Sequence, residues 1–361
     1  MKVNGVAWRS IAEDGPHAVR IVDQTRLPFA FETLRLQSCD EIAHAIRSMQ
    51  VRGAPLIGVA GAYGIALAMQ RDASDVALAA TQALLLATRP TAVNLRWALG
   101  RVGALLQPLP PAQRAAAAWQ EAGRIAEEDV AINRALGAHG ARLIAAVHAR
   151  THRPVHVLTH CNAGWIATVD YGTALSAVYQ AHDGGIPVSV WVDETRPRNQ
   201  GLLTAWELAA HGVPHTLIAD NAGGHLMQRG EVDLVIVGAD RVSRAGDVCN
   251  KIGTYLKALA AHDNGVPFYA AVPSPTIDWE LADARRDIPI EERPGEEVRR
   301  VRGRDGGGRP SEVALADAAT AVANPAFDIT PARLVTGIVT ERGVAAPADL
   351  PRLFAAARSA A

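Results

Sequence analysis

Val155-His156-Val157-Leu158-Thr159-His160-Cys161-Asn162-Ala163-Gly164-Trp165 is the stretch that decides the fold. The run from Val155 to Thr159 is short, rich in β-branched residues and preceded by Pro154, which predicts a buried strand. Cys161 stands just past the carboxyl end of that strand, where open α/β sheets place their ligands. Asn162 and Gly164 are expected to let the backbone turn there. A free cysteine is often only a small buried hydrophobe. The alternative gains weight from a second strand end, Leu234-Val235-Ile236-Val237-Gly238-Ala239-Asp240, which brings a carboxylate to the same expected rim.

Moving outward, apolar runs recur at Val155–Thr159, Val188–Val192, His215–Ile218, Leu234–Gly238 and Pro267–Ala271. Helical patterns lie between them, such as Leu202–His211 and Ile252–His262. Strand and helix alternating in this way imply a parallel sheet covered by helices. Upstream of residue 150 the texture differs. Strand-like pieces at His17–Asp23 and Phe29–Leu34 are split by Leu27-Pro28, and helices follow. Ser38 three residues before Glu41 is a capping box, and Ser74-Asp75 caps a third helix. A helix is expected to begin near Pro55, and another from Pro111 to about His148. Gly58, Gly61 and Gly64 do not follow a strand and are not spaced as G-x-G-x-x-G, so close helix packing is expected there rather than a dinucleotide site. At 361 residues the chain exceeds what one core usually serves. The expected class is α/β: a mainly helical N-terminal domain with short strands over residues 1–150, then a parallel-sheet domain over 151–361.

The formal net charge is -1, so no global attraction to nucleic acid or an anionic membrane is expected, and an anionic ligand must be met locally. No apolar run approaches a membrane span. Three cysteines, Cys39, Cys161 and Cys249, are odd in number and far apart, against a disulfide framework. Met1–Gly5 carries no signal-peptide pattern, and the expected location is the cytoplasm.

Several groups could carry chemistry. Arg52-Gly53-Ala54-Pro55 joins a guanidinium, a glycine and a helix amino end, a combination that suits phosphate. Arg89 before Pro90 lies at another helix boundary, and Asn250-Lys251 is expected at a third amino end. Asp240 ends an apolar strand with no helix to cap next to it; catalysis and pairing with Arg241 both stay open. Asp193-Glu194 lacks metal-ligand spacing and the twelve histidines are scattered, so loop capping is expected there and no metal site. Asp220 is expected to cap the next helix. Glu127-Glu128-Asp129 reads as a solvated helix face, and Arg299–Arg309 as a mobile solvated loop rather than a nucleic-acid arm.

Arg52-Gly53-Ala54-Pro55, Arg89-Pro90-Thr91-Ala92-Val93-Asn94-Leu95, Thr159–Gly164, Asp193-Glu194-Thr195-Arg196-Pro197, Gly238-Ala239-Asp240-Arg241, Asn250-Lys251-Ile252-Gly253-Thr254 and Asn324-Pro325-Ala326-Phe327-Asp328 occur in one order. In that order they closely resemble the methylthioribose-1-phosphate isomerases of methionine salvage. Those share a fold with the regulatory subunits of translation initiation factor 2B and with ribose-1,5-bisphosphate isomerase. The resemblance implies a Rossmann-like C-terminal domain, a homodimer, a sugar phosphate substrate and no cofactor. It also implies that Asp240 is the general acid, that Cys161 assists, and that Arg52, Gly53, Ala54, Arg89, Gln200, Asn250 and Lys251 hold the substrate. A non-enzymatic regulatory subunit, or an isomerase of ribose 1,5-bisphosphate or 5-deoxyribose 1-phosphate, are the rival readings. The Arg/Gly-rich tract 299–309 looks longer than the family's usual connection.

Overall fold

A computed structural model describes residues 1–355. The chain opens with a small ribbon, β1 (Lys2–Val3) with β2 (Val6–Ala7). A three-stranded antiparallel sheet follows, β3 (Ile11–Glu13), β4 (Val19–Val22) and β5 (Thr33–Leu36). The third strand starts later than the Phe29–Leu34 expected from sequence. The Phe29 and Ala30 amides both donate to the Arg26 carbonyl, which makes a turn and delays the extended run. Phe31 leaves the sheet and packs edge-on against Trp8, with centroids 5.0 Å apart.

Five helices come next: α1 (Cys39–Arg47), α2 (Ala54–Met69), α3 (Asp75–Leu86), α4 (Val93–Leu106) and α5 (Pro111–Thr151). Ser38 and Ser74 cap as their sequence position predicts, accepting from the amides of Glu41 and Ala77 at 3.2 Å each. α2 is apolar on every side, and a helix of that kind has to be interior; only Ala68 of its sixteen residues is not buried. Its glycines are close-packing positions: a Cβ on Gly58 would lie 2.9 Å from the Asn94 carbonyl oxygen. α5 takes part in two cores. Ala118, Ala122, Ile125 and Ala126 pack with α2, while Leu136, Ile144 and Val147 pack with the sheet described next.

From Val155 the chain builds a seven-stranded sheet. In chain order its members are β6 (Val155–Thr159), β7 (Val188–Asp193), β8 (His215–Ile218) and β9 (Leu234–Val237), then, after β10 (Arg241–Ser243) and β11 (Val248–Lys251), β12 (Phe268–Ala271). All five expected strands are present and parallel. Helices α6 (Ala174–Asp183), α7 (Gln200–His211), α8 (Ala222–Gln228) and α9 (Thr254–Asp263) connect them. β10 and β11 join β13 (Ile277–Asp278) and β16 (Phe327–Thr330) in a four-stranded side sheet. β17 (Gly337–Thr340) extends the main sheet in parallel and β18 (Gly343–Ala345) closes it antiparallel.

The main order is β18-β17-β12-β9-β6-β7-β8. The chain therefore runs one way from β6 through β7 to β8, then returns to the other side of β6 as β9. A reversal of that kind leaves a crevice at the carboxyl ends of the two strands beside it. Cys161 follows β6 and Asp240 follows β9.

Residues 299–309 are not loop throughout; only 305–309 form a connecting turn. β14 (Arg300–Arg304) and β15 (Pro310–Ala314) form an antiparallel hairpin. Arginine at every second position, 300, 302 and 304, puts guanidinium groups on one side of the ribbon. Arg302 donates to the Thr25 carbonyl and Arg304 to the Phe29 carbonyl, each at 3.0 Å, so the hairpin is tied to the N-terminal part.

Candidate active site

The turn after β6 is made at Cys161, which has φ 67°, rather than at Asn162 or Gly164. A non-glycine residue in the left-handed region costs roughly 1–3 kcal/mol and persists only when its surroundings over-determine it. Here its N–H donates to Thr195 Oγ1 at 2.9 Å and its carbonyl accepts from Thr204 Oγ1 at 2.8 Å. Gly164 is needed for a different reason: the Glu207 carboxylate fills the space a Cβ would take. Asp240 hangs from β9 through Gly238-Ala239, with its N–H on the Cys249 carbonyl at 2.9 Å. Arg241 is not its partner; Arg241 Nε donates to Asp278 at 2.9 Å.

All nine expected site residues, Arg52, Gly53, Ala54, Arg89, Cys161, Gln200, Asp240, Asn250 and Lys251, line one cavity of about 80 Å³. Its walls come from the amino end of α2, from the ends of β6 and β9, and from β11. Met49, Arg52 and Gln200 also line an outer cavity of about 570 Å³, bounded by Leu27–Phe29, Pro197–Gln200 and the β14–β15 hairpin. Gly53 has φ 98° and its missing side chain matters: a Cβ would lie 2.5 Å from Ala167 Cα.

Arg52 Nη2 donates to the Asn162 carbonyl at 3.1 Å and to Asn162 Oδ1 at 2.7 Å. Its Nη1 is buried and has no partner among the described residues, and neither does Gln200 Oε1. Buried donors and acceptors are nearly always satisfied, so such atoms in a cavity wall point to a ligand. Arg89 lies 3.6 Å from Glu291. The Lys251 ammonium sits 4.4 Å from the centroid of the Phe327 ring, and Asn250 donates to Thr254 Oγ1 at 3.0 Å. Asn250 and Lys251 end a strand rather than begin a helix. The start of α9 is already occupied by Asp328, which accepts from Gly253 N at 2.7 Å and Tyr255 N at 3.1 Å.

Burial raises the Asp240 carboxyl above the ordinary aspartate range, and Glu291 adds to this; Lys251, Arg89 and Arg52 pull the other way without cancelling it. Burial likewise raises the Cys161 thiol against Lys251 and Arg52, with Asp240 reinforcing the rise. Lys251 is lowered by burial, opposed by Cys161 and Asp240. An acid and a thiol biased towards their neutral forms thus stand among basic side chains, an arrangement suited to an anion bound beside a proton donor.

Some neighbours escaped the sequence reading. Asp193 is not a loop cap but the buried last residue of β7; its Oδ2 accepts from His160 Nδ1 at 2.9 Å and lies 3.2 Å from Lys257 Nζ. His160 Nε2 meets the Ile252 carbonyl at 2.8 Å. His160, Asp193 and Asp220 have ligand atoms within 4.8 Å of one another, and the Lys257 ammonium supplies a positive charge there. Asp220 does not cap α8; it accepts from the Thr195 and Arg196 amides at 2.8 Å each and holds that loop. Asp129 is not on a solvated face: it is buried, accepts from Val169 N at 2.7 Å, and burial pushes it up to about 7. Glu207 is 1% exposed on α7, between Leu203 and Leu208. A carboxylate on the apolar face of an amphipathic helix was the available signal for it.

Fold and cavity define an α/β protein whose cationic cleft lies at the switch point of a parallel sheet. Residues 50–347 match the model of the Initiation factor 2 subunit family, and the chain belongs to that family. Within it the chain stands with the methylthioribose-1-phosphate isomerases: one from Methylorubrum populi is 62% identical, with all of each chain covered. A 5-methylthioribose 1-phosphate isomerase from Pyrococcus horikoshii OT3 superposes with TM-score 0.83 at 40% identity, over 97% of this chain and 96% of that one. The structure of translation initiation factor eIF-2B, subunit delta, from A. fulgidus gives TM-score 0.79 at 41% identity, over 97% of this chain and 100% of that one.

Proposed function

We propose that this chain is an aldose–ketose isomerase of methionine salvage, converting 5-methylthio-α-D-ribose 1-phosphate to 5-methylthio-D-ribulose 1-phosphate. The observation that carries the reading is the convergence of Asp240, Cys161 and the free Arg52 Nη1 on one cavity at the switch point. The phosphate on the anomeric oxygen prevents the substrate from opening as a free sugar does. A proton must reach the ring oxygen, and Asp240, whose carboxyl burial shifts towards the protonated form, donates it. The C1–O bond to the ring oxygen breaks, leaving an oxocarbenium-like carbon. Hydrogen then moves from C2 to C1.

A thiol held neutral is a poor base, so this cavity favours hydride transfer over proton abstraction by Cys161. C2 is oxidised to the ketone as C1 is reduced, and the C2 hydroxyl proton returns to the Asp240 carboxylate, restoring the acid. The electron pair stays within the substrate throughout. Arg52, Arg89 and Lys251 hold the phosphate, with Gly53 and Ala54 bringing the amino end of α2 against it. The inner cavity suits the phosphate and the reacting carbons, and the 5-methylthio end extends towards Met49 and the outer cavity.

We also propose a homodimer in the cytoplasm. The family resemblance supports the dimer. Among the described residues no helix is long and apolar enough to cross a membrane, and the three cysteines are free.

The test is incubation of the purified chain with 5-methylthioribose 1-phosphate, followed by NMR in deuterated water. Ketose without solvent deuterium at C1 is expected. Deuterium at C1 replaces hydride transfer with proton exchange. No ketose at all returns the chain to the regulatory-subunit reading.

A further inference from the structure

Arg52 does not hold its own direction. Its Nη2 rests on Asn162, and the opposite end of the same Asn162 amide donates, through Nδ2, to Glu207 Oε1 and to Thr204 Oγ1. Glu207 Oε2 accepts from Trp165 N at 2.8 Å and from the Tyr179 hydroxyl at 2.9 Å. In its ionised form this carboxylate can only accept, and donors sit on both of its oxygens. Asn162 must therefore turn its NH₂ to Glu207 and its oxygen to the guanidinium. We propose that Glu207 is a positioning residue: by fixing the Asn162 amide it orients Arg52, so that Nη2 is consumed and Nη1 stays free for the phosphate. The inference rests on the isomerase reading of the cavity.

Glu207→Gln tests it, because glutamine keeps the shape and reverses one polarity. The glutamine oxygen takes the place facing Trp165 N and Tyr179, and its NH₂ then faces Asn162. Asn162 flips, and an N–H replaces the acceptor in front of Arg52 Nη2. The Asn162 backbone carbonyl remains, but the guanidinium is no longer held on two sides.

KM for 5-methylthioribose 1-phosphate should rise about tenfold or more while kcat stays within about threefold. The inhibition constant of inorganic phosphate should rise in parallel. Tyr179→Phe removes one donor from Glu207 and leaves the Asn162 amide where it is. It should lower the thermal midpoint with KM unchanged, so a purely structural role and a positioning role separate.

A KM for Glu207→Gln within about twofold of wild type overturns the inference, as does an equal rise in Tyr179→Phe. Should Glu207→Gln fail to fold, Asn162→Ser removes the bridge and keeps the other donors on Glu207; an unchanged KM there overturns it equally. If the wild-type chain does not convert the sugar phosphate, the isomerase reading falls. Calorimetric Kd values for inorganic phosphate, wild type against Glu207→Gln, then still decide the role of Glu207.

Discussion

Alanine at position 53 puts a methyl group where the chain has no room, and its cost can be worked from geometry. Gly53 sits at φ 98° and ψ 131°, outside the regions open to side-chain-bearing residues. Holding alanine there costs roughly 1–3 kcal/mol. The new Cβ would also lie 2.5 Å from Ala167 Cα and closer still to the Ala167 carbonyl oxygen. Carbon–carbon contacts normally settle near ~3.5–4.0 Å, so one backbone segment must shift by about 1 Å. Overpacking of that kind costs a further ~1–3 kcal/mol. Together these come to roughly 2–6 kcal/mol. For 361 residues, at about 2.1 cal/mol/K each, that lowers the thermal midpoint by about 3–8 °C. The shift falls between Arg52 and Ala54, both in the cavity wall, and a 1 Å misplacement of binding groups costs about a hundredfold in rate. Calorimetry and kcat/KM on Gly53→Ala check both numbers. A midpoint within about 2 °C of wild type together with kcat/KM within about threefold refutes the close approach of α2 to Ala167 and the role assigned to it.

Asp240→Asn keeps size and loses the proton, so kcat should fall by about 10²–10⁴ while the Kd of inorganic phosphate stays within a few-fold; near-normal turnover means another group is the acid. With Asp240 intact, kcat/KM should decline on the alkaline side, because a raised pKa keeps the acid protonated up to that pH and no further. Arg52→Ala should raise KM by about 10–100-fold through loss of charge-assisted hydrogen bonds, and an unchanged KM removes the phosphate role. Asp129→Asn addresses stability. The folded state holds the Asp129 proton up to about 7 while the unfolded chain releases it near ~4, so this contribution is complete below pH ~4 and is lost as pH rises through 7. Three units correspond to about 4 kcal/mol, or about 5 °C in midpoint. Asp129→Asn should flatten the fall between pH ~4 and 7 by that order, and parallel curves for the two proteins refute it. Glu207, also raised to about 7 by burial, keeps part of the slope in that variant.

What the chain discloses by itself is uneven, and the reason is physical. Strands buried on both faces are near-continuous apolar runs, so β6 and β9 stand out, and with them the residues at their ends. Helix starts announce themselves through capping residues such as Ser38 and Ser74. Long-range pairing leaves no such mark. Nothing next to Asp193 in sequence says that His160 and Lys257 will meet it, and Asp129 looks like the end of an acidic run until Val169 is folded against it. The hairpin at 300–314 was missed because glycine and arginine suggested solvation, while the period-two spacing of Arg300, Arg302 and Arg304 carried the strand signal. The site was legible as a set of ends of elements; the tethers that aim those ends were not.

α5 has a consequence for how the molecule comes apart. Two separate hydrophobic cores would ordinarily allow two melting steps. Here a 41-residue helix, about 60 Å long, contributes side chains to both without a break. Loss of either core strips apolar support from the same rod, and an isolated helix gains little from propensity alone. Cooperativity is therefore transmitted along α5, and damage far from the cleft, on either half, is felt by the whole fold at once.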